Sequence, residues 1–296
     1  MERKSLLVVL FVLCLVLSGF STVLAEPVYG GDLVIGVSSE LEPANLDFQV
    51  DPFDVTEFVT LMLSDQLVAM TENGDYVPSL ATSLDVSPDG KTWVFKLRED
   101  VTFTDGTPFN AEAVKFNFDR LMDPATKSSS LAGKMGFDKF VSADVIDEYT
   151  VQVNYTALVA TVWQSLATFP IWSPTAVKEY GDSFGDHLTS CGPFMLEEFV
   201  KGSHIKLLKN PDYKGQAPQQ LHDGTAYLDS ITIRFVGEDA ILAEALGSGE
   251  VDMVYRLAAQ YITPYENDPS VNVIQAYEHG TGTLFVCLDN IHTRIV

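Results

Sequence analysis

Residues 78–124, PSLATSLDVSPDGKTWVFKLREDVTFTDGTPFNAEAVKFNFDRLMDP, change hydrophobic period from two to about 3.6 within a few dozen positions. Trp93, Phe95 and Leu97 alternate with Thr92, Val94 and Lys96, the pattern of a strand that buries one face and wets the other. Pro88-Asp89-Gly90 precedes it, where proline presets φ, aspartate bonds its own backbone and glycine accepts positive φ, so a hairpin turn is predicted. A second short strand is predicted at Val101–Phe103, then a turn at Asp105-Gly106-Thr107-Pro108. Asn110 offers an N-cap oxygen to a helix whose apolar face is Val114, Phe118, Leu121 and Met122, and Asp123-Pro124 ends it.

Working outward, Gly30–Gly36 reads as the opening strand, followed by the loop Glu42–Asp47. Asp54 with Glu57 three residues on predicts a capping box, opening a helix that buries Val55, Phe58, Val59, Met62 and Leu63. Asn73-Gly74 predicts a turn. Downstream, Thr126–Ser130 predicts an exposed loop, Tyr149–Tyr155 a strand, Leu158–Phe169 and Pro174–Tyr180 helices, and Lys201-Gly202 a hairpin turn. Leu228–Phe235 predicts a strand, Asp239–Leu246 a helix ended by Gly247, and Val251–Val254 a short strand.

The first 25 residues read as a signal peptide: Arg3 and Lys4, an apolar run from Leu6 to Leu17, then Val23-Leu24-Ala25 for cleavage. That run would rise only about 18 Å as a helix, short of the roughly 30 Å hydrocarbon core, so export is expected rather than anchoring. The expected location is periplasmic or extracellular, cell-surface associated. With 18 basic against 41 acidic residues the net charge is −23, which makes nucleic acid and anionic lipid surfaces poor partners, and no nucleic acid is expected to bind. Of the 3 cysteines, Cys191 and Cys287 lie after the leader; a bridge between them is allowed but not predicted.

Two chemical signatures compete with a purely structural reading. Gly181-Asp182-Ser183-Phe184-Gly185 fits G-x-S-x-G, and a secreted serine hydrolase built on Ser183 is the alternative from another class. A nucleophile elbow needs a strand before the serine and a helix after it, whereas here a helix precedes and a loop comes after. Asp47, Asp51, Asp54 and Glu57 are spaced like a calcium loop, but Pro52 stands where its sharp turn wants glycine. The histidines lack close ligand spacing. No catalytic residue, metal ligand or cofactor is expected.

Several spaced motifs resemble the extracytoplasmic solute-binding proteins of peptide and nickel ABC transporters, the dipeptide- and oligopeptide-binding family. They are Leu46-Asp47; Pro78 and Leu80-Ala81; Asp89-Gly90-Lys91-Thr92-Trp93; Phe95-Lys96-Leu97-Arg98; Asp105-Gly106-Thr107-Pro108 with Ala111 and Val114. Further on come Cys191-Gly192-Pro193-Phe194, Asn210-Pro211-Asp212-Tyr213, and Ala245-Leu246 with Gly249-Glu250-Val251-Asp252. Cys191 replaces the family's usual small residue, and Lys214 its usual tryptophan.

The resemblance implies an α/β fold, periplasmic-binding-protein-like type II, two-lobed and closing on a ligand. Residues 26–275 would form the first lobe, with an inserted subdomain at about 50–170. Residues 276–296 would begin the crossover into a second lobe that is largely missing, so the chain is expected to be C-terminally truncated. It also implies the non-enzymatic substrate-binding component of an importer, a monomer that captures a peptide or similar small solute and delivers it to ABC permease subunits in the membrane. A chemosensory receptor without transport, or a degenerate fragment, is the third reading. By motif alignment the ligand contacts are Asp51, Pro52 and Phe53, with Ser129 and Ser130. Half a cleft leaves its ligand exposed, so weak binding or none by this chain alone is expected.

Overall fold

The computed structural model describes residues 28–288 apart from 72, 135, 137, 216–221, 223, 267 and 279–280, with backbone only at 129, 130, 134 and 275–288. The signal-peptide expectation for residues 1–25 lies outside the described residues.

The chain opens with β1 (Asp32–Val37), followed by a long loop and α1 (Asp54–Leu63). Two hairpins come next, β2 (Val68–Met70) with β3 (Tyr76–Pro78) and β4 (Ala81–Val86) with β5 (Thr92–Leu97). In the second, the Gly90 amide donates to Ser87 O at 2.8 Å and Gly90 sits at φ +68°, as the Pro-Asp-Gly run predicts. Helices α2 (Ala111–Met122) and α3 (Ser129–Lys134) lead to β6 (Phe140–Asp147) and β7 (Thr150–Tyr155), then α4 (Val162–Leu166) and α5 (Pro174–Tyr180). The remainder comprises the hairpin β8 (Phe194–Val200)/β9 (His204–Lys209), then β10 (Ser230–Phe235), α6 (Asp239–Ser248), β11 (Met253–Tyr255), α7 (Ala259–Ile262) and the hairpin β12 (Val271–Glu278)/β13 (Thr281–Leu288).

Two principal sheets result. The larger runs β12-β13-β11-β1-β10-β9-β8; β1 is parallel to both β10 and β11, and every other pairing in it is antiparallel. The smaller runs β4-β5-β7-β6, all antiparallel. Trp93, Phe95 and Leu97 of β5 are buried beside Val151 and Val153 of β7, and α2 lays Val114, Phe118 and Leu121 over that face. Phe118 stacks on Phe140 and meets Phe169 edge-on at 5.2 Å. Asn110 caps α2 by accepting from the Ala113 amide at 3.0 Å.

Several expectations need correction. Val101–Phe103 makes only a single bridge, Thr102 to Pro108, because the Asp105-Gly106 turn folds the chain straight back. Met122 is exposed, since the last turn of α2 rotates it off the apolar stripe. The polar run at 126–130 is not simply loop: Ser128 is buried and Ser129 opens α3. Within Leu158–Phe169 only Val162–Leu166 is helical. Helix α6 runs through Gly247 to Ser248 and ends at Gly249, whose φ of +74° closes it. The capping box does not form. Phe53 is extended and takes the N-cap place, its carbonyl accepting from the Glu57 amide at 2.8 Å, which puts Asp54 inside the first turn.

Candidate ligand-binding site

In open α/β sheets ligands bind beyond the carboxyl ends of strands, where connections from neighbouring strands diverge. Here β1 and β11 lie side by side and parallel, Val37 opposite Tyr255. The segments that leave the two strands therefore form one rim. After β1 the chain enters a loop of residues 38–53, and after β11 comes Arg256.

A buried polar network fixes that loop. The Asp47 carboxylate, 1% exposed, accepts from the Gln49 amide at 3.0 Å, Trp172 Nε1 at 2.9 Å and Arg120 Nη2 at 2.6 Å. Arg120 Nη1 also donates to Gln49 Oε1 at 2.8 Å, while Gln49 Nε2 donates to Asn117 Oδ1 at 2.8 Å and to Pro170 O at 3.1 Å. Asn117 completes the set by donating to Ala113 O and Trp172 O and accepting from the Trp172 amide. A buried charge is tolerable only when paired and hydrogen-bonded, and Asp47 meets both conditions. The Leu46-Asp47 motif is thus an anchor, and its aspartate is not free to hold calcium.

Beyond the anchor, the Asp51 amide donates to Asp47 O and its carbonyl accepts from the Phe53 amide, both at 2.9 Å. Asp51 and Pro52 are half-buried and Phe53 is exposed, so the predicted segment faces outward from a rigid base. Asp54, one residue on, forms an ion pair with Arg256, itself held at φ +60°. Tyr255 stacks on Phe58 of α1 with ring centroids 4.7 Å apart, tying the end of β11 to the helix that carries Asp54. The sequence reading missed Tyr255 and Arg256. An aromatic-basic pair placed directly after the Gly-Glu-Val-Asp strand is the signal that could have found them.

Ser129 and Ser130 open α3, and their side chains lie outside the described residues. Both predicted segments share α2 as their support: Arg120 and Asn117 hold the first, and α3 packs against the same helix.

The G-x-S-x-G run has a structural explanation. Ser183 Oγ donates to Tyr180 O at 2.8 Å within a 3-10 turn, Gly181 ends α5, and His187 stacks on Tyr180 with centroids 4.1 Å apart. A Cβ on Gly185 would lie 2.0 Å from Asn45 Oδ1, so that glycine is required by the anchor loop. Among the described residues no three His, Cys, Asp or Glu side chains converge as a metal site. Cys191 is a buried free thiol, pushed up to about 12 mainly by burial, and the Cys287 side chain lies outside the described residues.

The family model for bacterial extracellular solute-binding proteins, family 5 (middle), matches residues 75–292. The chain belongs to this family. It is 29% identical over 255 residues to the probable D,D-dipeptide-binding periplasmic protein DdpA of Escherichia coli K12, covering 82% of this chain and 46% of that protein. It is 29% identical to the glutathione-binding protein GsiB of Shigella flexneri, with the same coverage of 82% and 46%. Among solved structures, the periplasmic binding protein DppA of Helicobacter pylori in complex with the peptide STSA superposes with TM-score 0.72 at 26% identity, over 84% of this chain and 51% of that one. The nickel ABC transporter protein of Bacillus halodurans does so with TM-score 0.66 at 28% identity, over 83% and 47%. The fold is accordingly α/β of the periplasmic-binding-protein type II class. The chain spans about half the length of the relatives it matches. Among the described residues no helix is long and apolar enough to cross a membrane.

Proposed function

We propose that the chain is the extracytoplasmic substrate-binding component of an ABC importer, taking a peptide or similar small solute and passing it to a membrane permease. The observation that carries this reading is the rim of Asp51–Asp54 and Tyr255-Arg256 at the adjoining carboxyl ends of β1 and β11, standing on the buried Asp47–Arg120 anchor. Residues 26–275 serve as the first lobe, with an inserted subdomain at about 50–170 that contains the smaller sheet, and 276–296 begin the passage to a second lobe. Phe53 and the Asp54–Arg256 pair wall one side of the cleft. A ligand's charged ends exchange with that ion pair while its backbone meets polar groups of the loop. Ser129 and Ser130 contribute from α3. The names of the relatives support this reading: DdpA and GsiB are named for a dipeptide and for glutathione.

The test is an amide chemical-shift titration of the protein with dipeptides, tripeptides and glutathione up to ten millimolar. Shifts clustered at Asp51–Asp54 and Tyr255-Arg256 are expected, with weak affinity because one lobe leaves the ligand exposed. A flat response at those residues across the whole panel overturns the assignment.

A further inference from the structure

Asp65 lies two residues beyond α1 and is 4% exposed. The family's motifs converge on it. Cys191-Gly192 docks beside it, the Gly192 amide donating to Leu63 O at 2.9 Å in a contact so close that a Cβ there would lie 2.4 Å from Leu63 C. Asn210 Nδ2 donates to Gly192 O at 2.9 Å, and the turn it begins delivers Tyr213. Arg98 arrives from the end of β5. Asp65 therefore sits where the β8–β9 side of the larger sheet meets the smaller sheet.

The charged and titratable groups facing it are Tyr213 from the turn after β9, with Asp212 and Lys214 beside it, Arg98 with its partner Asp100 after β5, and Cys191 ahead of β8. Among the described residues the only hydrogen-bond donor to its carboxylate is the Tyr213 hydroxyl, 2.9 and 3.1 Å from the two oxygens. One phenol carries one proton, whereas a carboxylate can accept about four hydrogen bonds. Arg98 does not supply the rest: its Nε and Nη2 donate to Asp100 at 3.0 and 2.9 Å. Asp47, buried as deeply, has an arginine, an indole and an amide. Asp65 as an anion thus has one protein donor, among the described residues, for a deeply buried charge.

We propose that Asp65, held by Tyr213, is a proton-operated latch between the two sheets: neutral, it closes the junction without a buried charge; ionised, it loads the junction with a carboxylate whose Tyr213 hydrogen bond tightens but does not offset the cost of its burial. Burial, opposed by the Tyr213 hydroxyl and the Arg98 charge, pushes Asp65 up to about 6. As pH falls the folded chain takes up this proton before the unfolded chain does. The latch therefore adds stability between pH 6 and the ordinary carboxyl range near 4, and that stability is lost as pH rises through 6.

Two measurements on the purified protein test it. Thermal unfolding of wild type and Asp65→Asn at pH 7.5 and 5 should show the wild-type melting temperature gaining about 3–5 °C on the variant as pH drops; parallel curves overturn the proposal. Carboxyl carbon NMR should place the Asp65 midpoint near 6 and move it upward in Tyr213→Phe. A midpoint near 4, or one that Tyr213→Phe leaves unmoved, refutes the latch even if Asp65→Asn fails to fold.

Discussion

Arg120 reaches from α2 to Asp47 across 73 positions of sequence and closes to 2.6 Å, with both side chains almost wholly shielded from water. That contact decides where the loop ahead of α1 can lie. Arg120→Ala leaves the Asp47 carboxylate buried without its cation, a loss of about 3–5 kcal/mol. Urea unfolding measures it, and a change below about 1 kcal/mol would show that the loop is held by something else.

Gly185 and Ser183 separate packing from chemistry within one motif. Gly185→Ala forces a methyl against Asn45 and is expected to cost about 1–3 kcal/mol. Ser183→Ala removes an exposed hydroxyl, stays within about 0.5 kcal/mol of wild type, and leaves any ester hydrolysis by the protein unchanged. A hydrolysis rate that falls with Ser183→Ala would revive the hydrolase alternative.

Arg256 occupies a left-handed backbone conformation that glycine adopts without cost. Arg256→Gly gains there what it loses from a partly exposed ion pair, so stability should move by less than about 1 kcal/mol. Ligand-induced shifts at Asp51–Asp54 should nevertheless vanish, whereas Arg256→Lys should retain part of them. Full binding by the glycine variant would remove Arg256 from the site.

The acid limb of stability runs opposite in sign to the Asp65 effect. Arg98 beside Asp100, Ser87 beside Asp89, Thr150 beside Asp147, Lys209 beside Asp229 and Ser270 beside Asp268 each hold a carboxyl below its usual range. Those contributions are complete above the unfolded carboxyl range near 4 and disappear as pH falls through the depressed values. Melting temperature plotted against pH should therefore peak at mildly acidic pH and fall below about 4; a monotonic rise from pH 3 to 8 would contradict the balance.

The elements read most directly from sequence are those whose signals are local. Pro88-Asp89-Gly90 makes its turn, Asn110 its cap and Lys201-Gly202 its hairpin because the deciding groups lie within a few bonds of one another. Misreadings arise where a distant partner decides. Asp54 has a plausible capping role until Arg256, 202 positions away, is seen to take its carboxylate. The Leu46-Asp47 motif can be recognised as a family mark, but periodicity is silent on Trp172 and Arg120, which supply its meaning. Asp51, Pro52 and Phe53 come from motif alignment, and the structure sets them on a rim together with Tyr255 and Arg256, which alignment passes over.

The two partners of β1 are β10 and β11, and Asp32 stands opposite Ser230, 198 positions further along the chain. The hairpins of the smaller sheet close over short loops and can assemble as soon as they are made. The centre of the larger sheet cannot: it must wait for a segment 198 positions further on and then meet the entropy of closing a very long loop. Of the described strands β1 is thus made first and paired among the last, and until β10 emerges it is an unprotected apolar edge.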